Sequence, residues 1–143
     1  RGALTIAVFN SPGAPMRLAA DHPILLETGA EFIAGSTRMQ AGTAQKAALN
    51  ILSTGVMIRL GYVWRGKMVE MRPTNAKLKA RAARMVGELT GADAETAAAA
   101  LAEAGTIKLA VAMLVLDLDR AGAEALLARH GGNLRRAIEG GDD

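Results

Sequence analysis

At 143 residues, half of them hydrophobic, the chain can fill the core of one ordinary domain or two small subdomains, which excludes a disordered segment. The absence of Cys excludes disulfides, thiolate metal sites and a cysteine nucleophile, two widely separated His offer no metal cluster, and one Trp, one Tyr and two Phe give no stacking platform for nucleic acid. The formal charge of +3 comes from interleaved acids and bases, so it implies a solvated surface with at most one anion site.

In chain order, Ala3 to Phe9 is an apolar, β-branched run closed by Asn10-Ser11-Pro12-Gly13, which predicts a strand buried on both faces of a parallel sheet. Pro15 to Ala20 fits one helical turn, and His22 to Glu27 a second short strand that ends at Thr28-Gly29. A parallel pair needs partners and cover on both faces, so the remaining strands are expected from residues preceding Arg1. The start at Arg1, without an initiator Met, reads the same way: as a fragment. Thr37-Arg38-Met39-Gln40 fits a capping box, with a hydroxyl N-cap and a Gln three residues on, and predicts a long helix to Leu60 with Gly61 as its left-handed stop. Its most apolar part, Ala41 to Leu60, carries Gln45, Lys46, Asn50 and Arg59, so it reads as a buried helix and not a membrane span. No signal-peptide pattern precedes it, and a cytoplasmic location is expected.

Tyr62 to Met71 alternates and predicts an extended connector that Pro73 ends, with a domain boundary there separating 1–72 from 73–143. Beyond it the pattern is helical: Asn75 to Leu89, closed by Gly91; Ala94 to Ala104, closed by Gly105; Ile107 to Leu116, capped by Thr106; Arg120 to Arg129, capped by Asp119; and Leu134 to Ile138 after Gly131-Gly132-Asn133. Short loops imply a compact bundle. The last three segments resemble the small three-helix ubiquitin-associated fold. The fold class expected is therefore α/β: a doubly wound parallel sheet's closing portion, then a small helical bundle.

The densest polar cluster is Glu31 to Arg38, between a strand and a helix amino terminus, where free N–H groups and the helix dipole suit a phosphate or sugar hydroxyls. A Ser or Thr before a helix also serves simply as a cap, and Arg38 as a surface ion-pair partner. His22, beside Pro23, and His130, before Gly131, have no recognisable Ser, Cys or acidic partner and read as structural. Leu109, Met113, Leu114 and Leu116 form a core stripe.

The string GAEFIAGSTRMQAGTAQKAALNILST, Gly29 to Thr54, resembles the signature shared by N-acetylmuramic acid 6-phosphate etherases and the glucokinase regulatory protein, both built on the sugar isomerase (SIS) fold. The likeness runs on through GALTIAVFNSP, Met68-Val69, Thr74 to Leu78 and the helical tail, identifying the chain as the carboxyl-terminal half of the etherase type. One departure is Gln40, where the family usually has Lys, which removes a cation beside the loop. The resemblance implies that Glu31, Ser36 and Thr37 line the sugar site, and that Asn75 and Lys77 reach towards the sugar phosphate from the start of a lid helix. The competing readings are a helix-dipole role for Glu31 and, for Lys77, a solvated basic face with Lys79, Arg81 and Arg84. It implies a carbon–oxygen lyase of cell-wall recycling that releases D-lactate without metal or other cofactor, in a homodimer, with its catalytic acid and base upstream of this chain and so no activity in the isolated fragment. No nucleic-acid or membrane partner is expected. The alternatives are a non-catalytic sugar-phosphate sensor that controls a kinase, and a protein-binding module in the tail.

Overall fold

The computed structural model describes residues 2–140 and divides into two compact units, Arg1–Gly55 and Val56–Asp143. It is mostly helical, with two small two-stranded sheets.

In the first unit, β1 (Ile6–Phe9) pairs in parallel with β2 (His22–Leu25), in the register Ile6 to His22 through Phe9 to Leu25. The crossover between them contains only a 3-10 turn, Pro15–Leu18, with Pro fixing the first residue in place. Asp21 ties the two strand starts together: its carboxylate accepts from the Thr5 backbone N–H at 2.9 Å and the Thr5 hydroxyl at 2.7 Å. Those donors hold the Asp21 carboxyl below its ordinary pKa. The expectation of a strand buried on both faces is corrected: Ala7 and Phe9 are buried, but Ile6 is 47% exposed, and β2 buries no residue.

Helix α1 (Gln40–Arg59) starts two residues after Arg38, the first helical position that a Thr37 cap implies, and none of its residues is buried. Leu49, Ile51 and Val56 lie exposed along it, so the expected buried helix is also corrected. Its apolar composition records a demand for cover that the two short strands do not supply. No single helix among the described residues is long and apolar enough to cross a membrane.

The second unit holds a well-formed core. After α1, Gly61 turns at φ 77°, and a Cβ there would stand 2.5 Å from the Asn133 side chain, so glycine is required both by backbone and by space. The expected connector is instead an antiparallel hairpin, β3 (Val63–Trp64) and β4 (Lys67–Met68), turned by Arg65 and Gly66, both at positive φ. Trp64 is buried and donates its indole N–H to Glu139 at 3.2 Å, with the Arg65 guanidinium 4.4 Å from the ring centroid.

The helices follow their caps closely. In α2 (Ala76–Thr90), α3 (Ala94–Ala104), α4 (Ile107–Leu116), α5 (Arg120–Arg129) and α6 (Leu134–Glu139), the side chains of Asn75, Asp93, Thr106, Asp119 and Asn133 each accept a backbone N–H three residues on. Helices α3 and α4 are bent by 119° at Gly105-Thr106, which sends α4 through the middle of the unit. There Ile107, Val111 and Leu134 are fully buried together with Val69 and Val86. Leu109 and Met113 of the expected stripe are buried, while Leu114 and Leu116 are half-buried. Lys108, 14% exposed, clasps the hairpin side by pairing with Glu70 and donating to the Gly132 carbonyl at 2.8 Å.

Candidate functional site

At the carboxyl end of β1, Asn10 joins three segments of the first unit. Its amide donates to the Leu26 carbonyl at 2.8 Å and, more weakly, to the Thr28 hydroxyl at 3.4 Å, and its carbonyl oxygen accepts from Gln45 of α1 at 2.6 Å. Sequence reading placed Asn10 in a turn and missed this role. The available signal was an amide residue directly after a strand, with a second amide on the next long helix.

This anchor leads into the loop 29–39, which ends at the start of α1. The Glu31 carboxylate caps the helix with both oxygens, accepting from the Gln40 N–H at 2.9 Å and the Ala41 N–H at 3.0 Å. The Gln40 side chain donates back to the Ala30 carbonyl at 3.0 Å, closing the loop on itself. The Thr37 carbonyl accepts the Gly42 N–H at 2.8 Å. The hydroxyl cap expected from Thr37 is therefore replaced by a carboxylate from nine residues upstream of Gln40. Ser36 is half-buried and Thr37 exposed, and among the described residues no hydrogen bond engages either hydroxyl. Gln40, in the place where a Lys was expected, acts as a neutral clasp on the loop.

In the second unit, Asn75 and Lys77 share the first turn of α2. Asn75 Oδ1 accepts from the Leu78 N–H at 2.9 Å, which orients the amide and leaves its NH2 group without a hydrogen bond among the described residues. Lys77 is exposed beside Leu78, Ala80, Arg81 and Arg84 at an open cleft of about 490 Å3. Ion pairs connect Arg84 and Lys67 to Glu88 but none among the described residues engages Lys77. A larger hollow of about 960 Å3, with an apolar wall that includes Met71, Ala83 and Leu101 and with Arg72 and Lys79 at its edge, contains none of the expected site residues. The structure thus places the expected residues in two sets, Glu31, Ser36 and Thr37 on one loop and Asn75 and Lys77 on one helical turn.

Glu88, Asp93 and Glu139 are all held below the usual carboxylate range, first by hydrogen bonds from Lys67, Thr96 and Arg135 respectively, so each stays ionised at neutral pH. His22 is exposed at the start of β2, and His130 forms the C-cap of α5. No group of three His, Asp or Glu able to hold a metal occurs among the described residues.

Comparison with known proteins gives the chain its relatives. No family model matches it. It is 51% identical over 142 residues to an N-acetylmuramic acid 6-phosphate etherase of Deinococcus radiodurans, covering 99% of this chain and 47% of that protein. Etherases of the same name from Trichormus variabilis and Erwinia tasmaniensis are 47% and 44% identical, over 96% and 97% of this chain. The chain spans about half the length of the curated relatives it matches. Over its whole length the chain is similar in sequence to N-acetylmuramic acid 6-phosphate etherases, matching the carboxyl-terminal half of their polypeptide.

Proposed function

We propose that this chain is the substrate-binding half of an enzyme that cleaves the D-lactyl ether of N-acetylmuramic acid 6-phosphate, giving N-acetylglucosamine 6-phosphate and D-lactate in cell-wall recycling. What carries the reading is identity of 51% sustained over 99% of the chain with a protein of that name. In this reading residues 1–72 are the closing part of a SIS-type sheet, and 73–143 are the lid and a bundle of the ubiquitin-associated kind. The parallel β1–β2 pair and the compact set of short-looped helices support it.

The loop residues Glu31, Ser36 and Thr37 form a wall for the sugar. Hydroxyls that no other group engages can both donate to and accept from sugar hydroxyls or phosphate oxygens. Asn75, oriented by its own cap, offers an N–H donor, and Lys77 a full positive charge, to the phosphate. The reaction removes the C2 proton of an opened sugar and protonates the departing lactate oxygen, after which water adds across the new double bond. A base and an acid with separated pKa values are required, and they are assigned to the part of the enzyme outside this chain, so the isolated fragment binds without turning over. The homodimer that the resemblance implies is compatible with the uncovered apolar side chains of α1, Leu49, Ile51 and Val56, which the part of the sheet expected outside this chain would equally cover.

The test is release of D-lactate from N-acetylmuramic acid 6-phosphate by the full-length polypeptide. Lys77→Ala removes a charge-assisted hydrogen bond and should raise KM about ten- to a hundredfold. Absence of lactate release refutes the activity, and an unchanged KM in Lys77→Ala refutes the role of Lys77.

A further inference from the structure

The sequence Thr37-Arg38-Met39-Gln40 has the composition of a capping box, yet the box is not formed. In such a box the Thr37 hydroxyl would accept the Gln40 N–H, and the Gln40 side chain would reach back to the Thr37 N–H. Here Glu31 Oε2 takes that same Gln40 N–H at 2.9 Å, Oε1 takes the Ala41 N–H at 3.0 Å, and the Gln40 amide is drawn to the Ala30 carbonyl at 3.0 Å. Both groups that Gln40 would bring to the box, its N–H and its side chain, are thus engaged elsewhere by the segment Ala30-Glu31, and the Thr37 hydroxyl is left without a hydrogen bond among the described residues.

We infer that Glu31 is a positioning residue: by occupying the cap it keeps the Thr37 hydroxyl, and with it the Ser36–Thr37 loop, out of the helix terminus and open to the sugar phosphate. This rests on the proposed etherase site and assigns Glu31 a task within it. A carboxylate that already accepts two backbone N–H groups satisfies them better than one hydroxyl can, because its acceptors are charged and the helix amino terminus carries partial positive charge. The same occupancy makes the helix terminus a poor phosphate site, since its leading donors face an anion already in place. The loop therefore meets the phosphate through its hydroxyls, not through the first turn of α1. Removing the Glu31 carboxylate would let the latent box close, with the Thr37 hydroxyl turning in to the Gln40 N–H and away from ligand.

The experiment uses the full-length polypeptide with Glu31→Ala, Glu31→Gln, Thr37→Ala and the double variant Glu31→Ala/Thr37→Ala. Steady-state D-lactate release gives KM and kcat, and amide hydrogen exchange is read at Gln40 and Ala41 without and with substrate. Expected are a KM raised about tenfold in Glu31→Ala and in Thr37→Ala, the loss of roughly one hydroxyl contact, with kcat changed far less. The double variant should be no worse than either single one, because both lose the same contact. In Glu31→Ala the Gln40 amide stays protected by the newly closed box while the Ala41 amide exchanges faster. Glu31→Gln, which keeps a carbonyl acceptor, should recover part of the KM and also covers the case in which Glu31→Ala does not fold. Additive KM effects, a fall confined to kcat, or faster exchange at Gln40 and Ala41 when substrate is added to the unaltered protein would overturn the inference; the last would mean that the carboxylate leaves the cap to meet the sugar. If the unaltered protein releases no lactate, the etherase reading fails by itself, and exchange at Gln40 and Ala41 in Glu31→Ala still decides whether Glu31 excludes the Thr37 cap.

Discussion

Replacing Gly61 by Ala tests the joint between the end of α1 and the final helix. Gly61 has φ 77°, and its absent Cβ would lie 2.5 Å from Asn133 Cγ and 2.8 Å from both Asn133 Oδ1 and Nδ2. Two costs follow. A non-glycine residue in the left-handed region costs about 1–2 kcal/mol. Moving the Asn133 side chain also removes the cap it gives to the Arg136 N–H at 3.2 Å, about 1 kcal/mol for a helix N-cap. Gly61→Ala should therefore lower stability by about 2–3 kcal/mol, and Asn133→Ala by about 1 kcal/mol. If the Asn133 cap is what the new methyl displaces, the double variant should cost no more than Gly61→Ala alone, a coupling of about 1 kcal/mol. Urea denaturation followed by circular dichroism measures all three, and amide exchange at Arg136 reports the cap directly. A double variant whose loss equals the sum of the single ones, or Gly61→Ala with an undiminished Arg136 protection, would refute the reasoning.

Ile107→Ala, at a residue with no exposed surface in the middle of the second unit, should cost about 2–5 kcal/mol and lower the thermal midpoint, and a loss under about 1 kcal/mol would mean that α4 is not the core helix. Acid should destabilise the second unit. Glu88, Asp93 and Glu139 have pKa values depressed in the folded state, so the unfolded chain binds more protons in that range; their contribution is complete above the ordinary carboxylate pKa and is lost as pH falls through the lower, folded values. Glu139→Gln should flatten that acid limb of the stability profile, and an unaltered limb would argue against the Arg135 and Trp64 hydrogen bonds that hold Glu139 ionised.

The helices of the second unit were legible because their signals are local. Asn75, Asp93, Thr106, Asp119 and Asn133 each bond a backbone group three residues away, within the reach of a short motif. The start of α1 was not legible in the same way, since the Glu31 carboxylate arrives from nine residues upstream of Gln40 and displaces a local motif that is complete on paper. The hairpin at Val63 to Met68 escaped notice because its turn places Arg65, a residue without turn preference, at positive φ. Apolar content in α1 gave the need for burial but not its satisfaction, which depends on partners that a one-dimensional pattern does not contain. Of the candidate site, the loop stands out as a polar cluster before a helix and takes its expected sugar role from family likeness, as does the α2 turn, whereas Asn10 and Gln45, which join strand, loop and helix, are visible only in three dimensions.

The placement of Trp64 gives this protein an optical channel of its own. It is the sole tryptophan of the chain, 2% exposed, with its indole N–H on Glu139 near one end of the second unit and its ring under Arg65 at the hairpin turn. Emission excited at the red edge therefore arises from the second unit alone, free of signal from residues 1–55. Fluorescence and circular dichroism, which also senses α1, form a pair of observables whose melting curves separate if the two units lose structure independently and superimpose if they do so together.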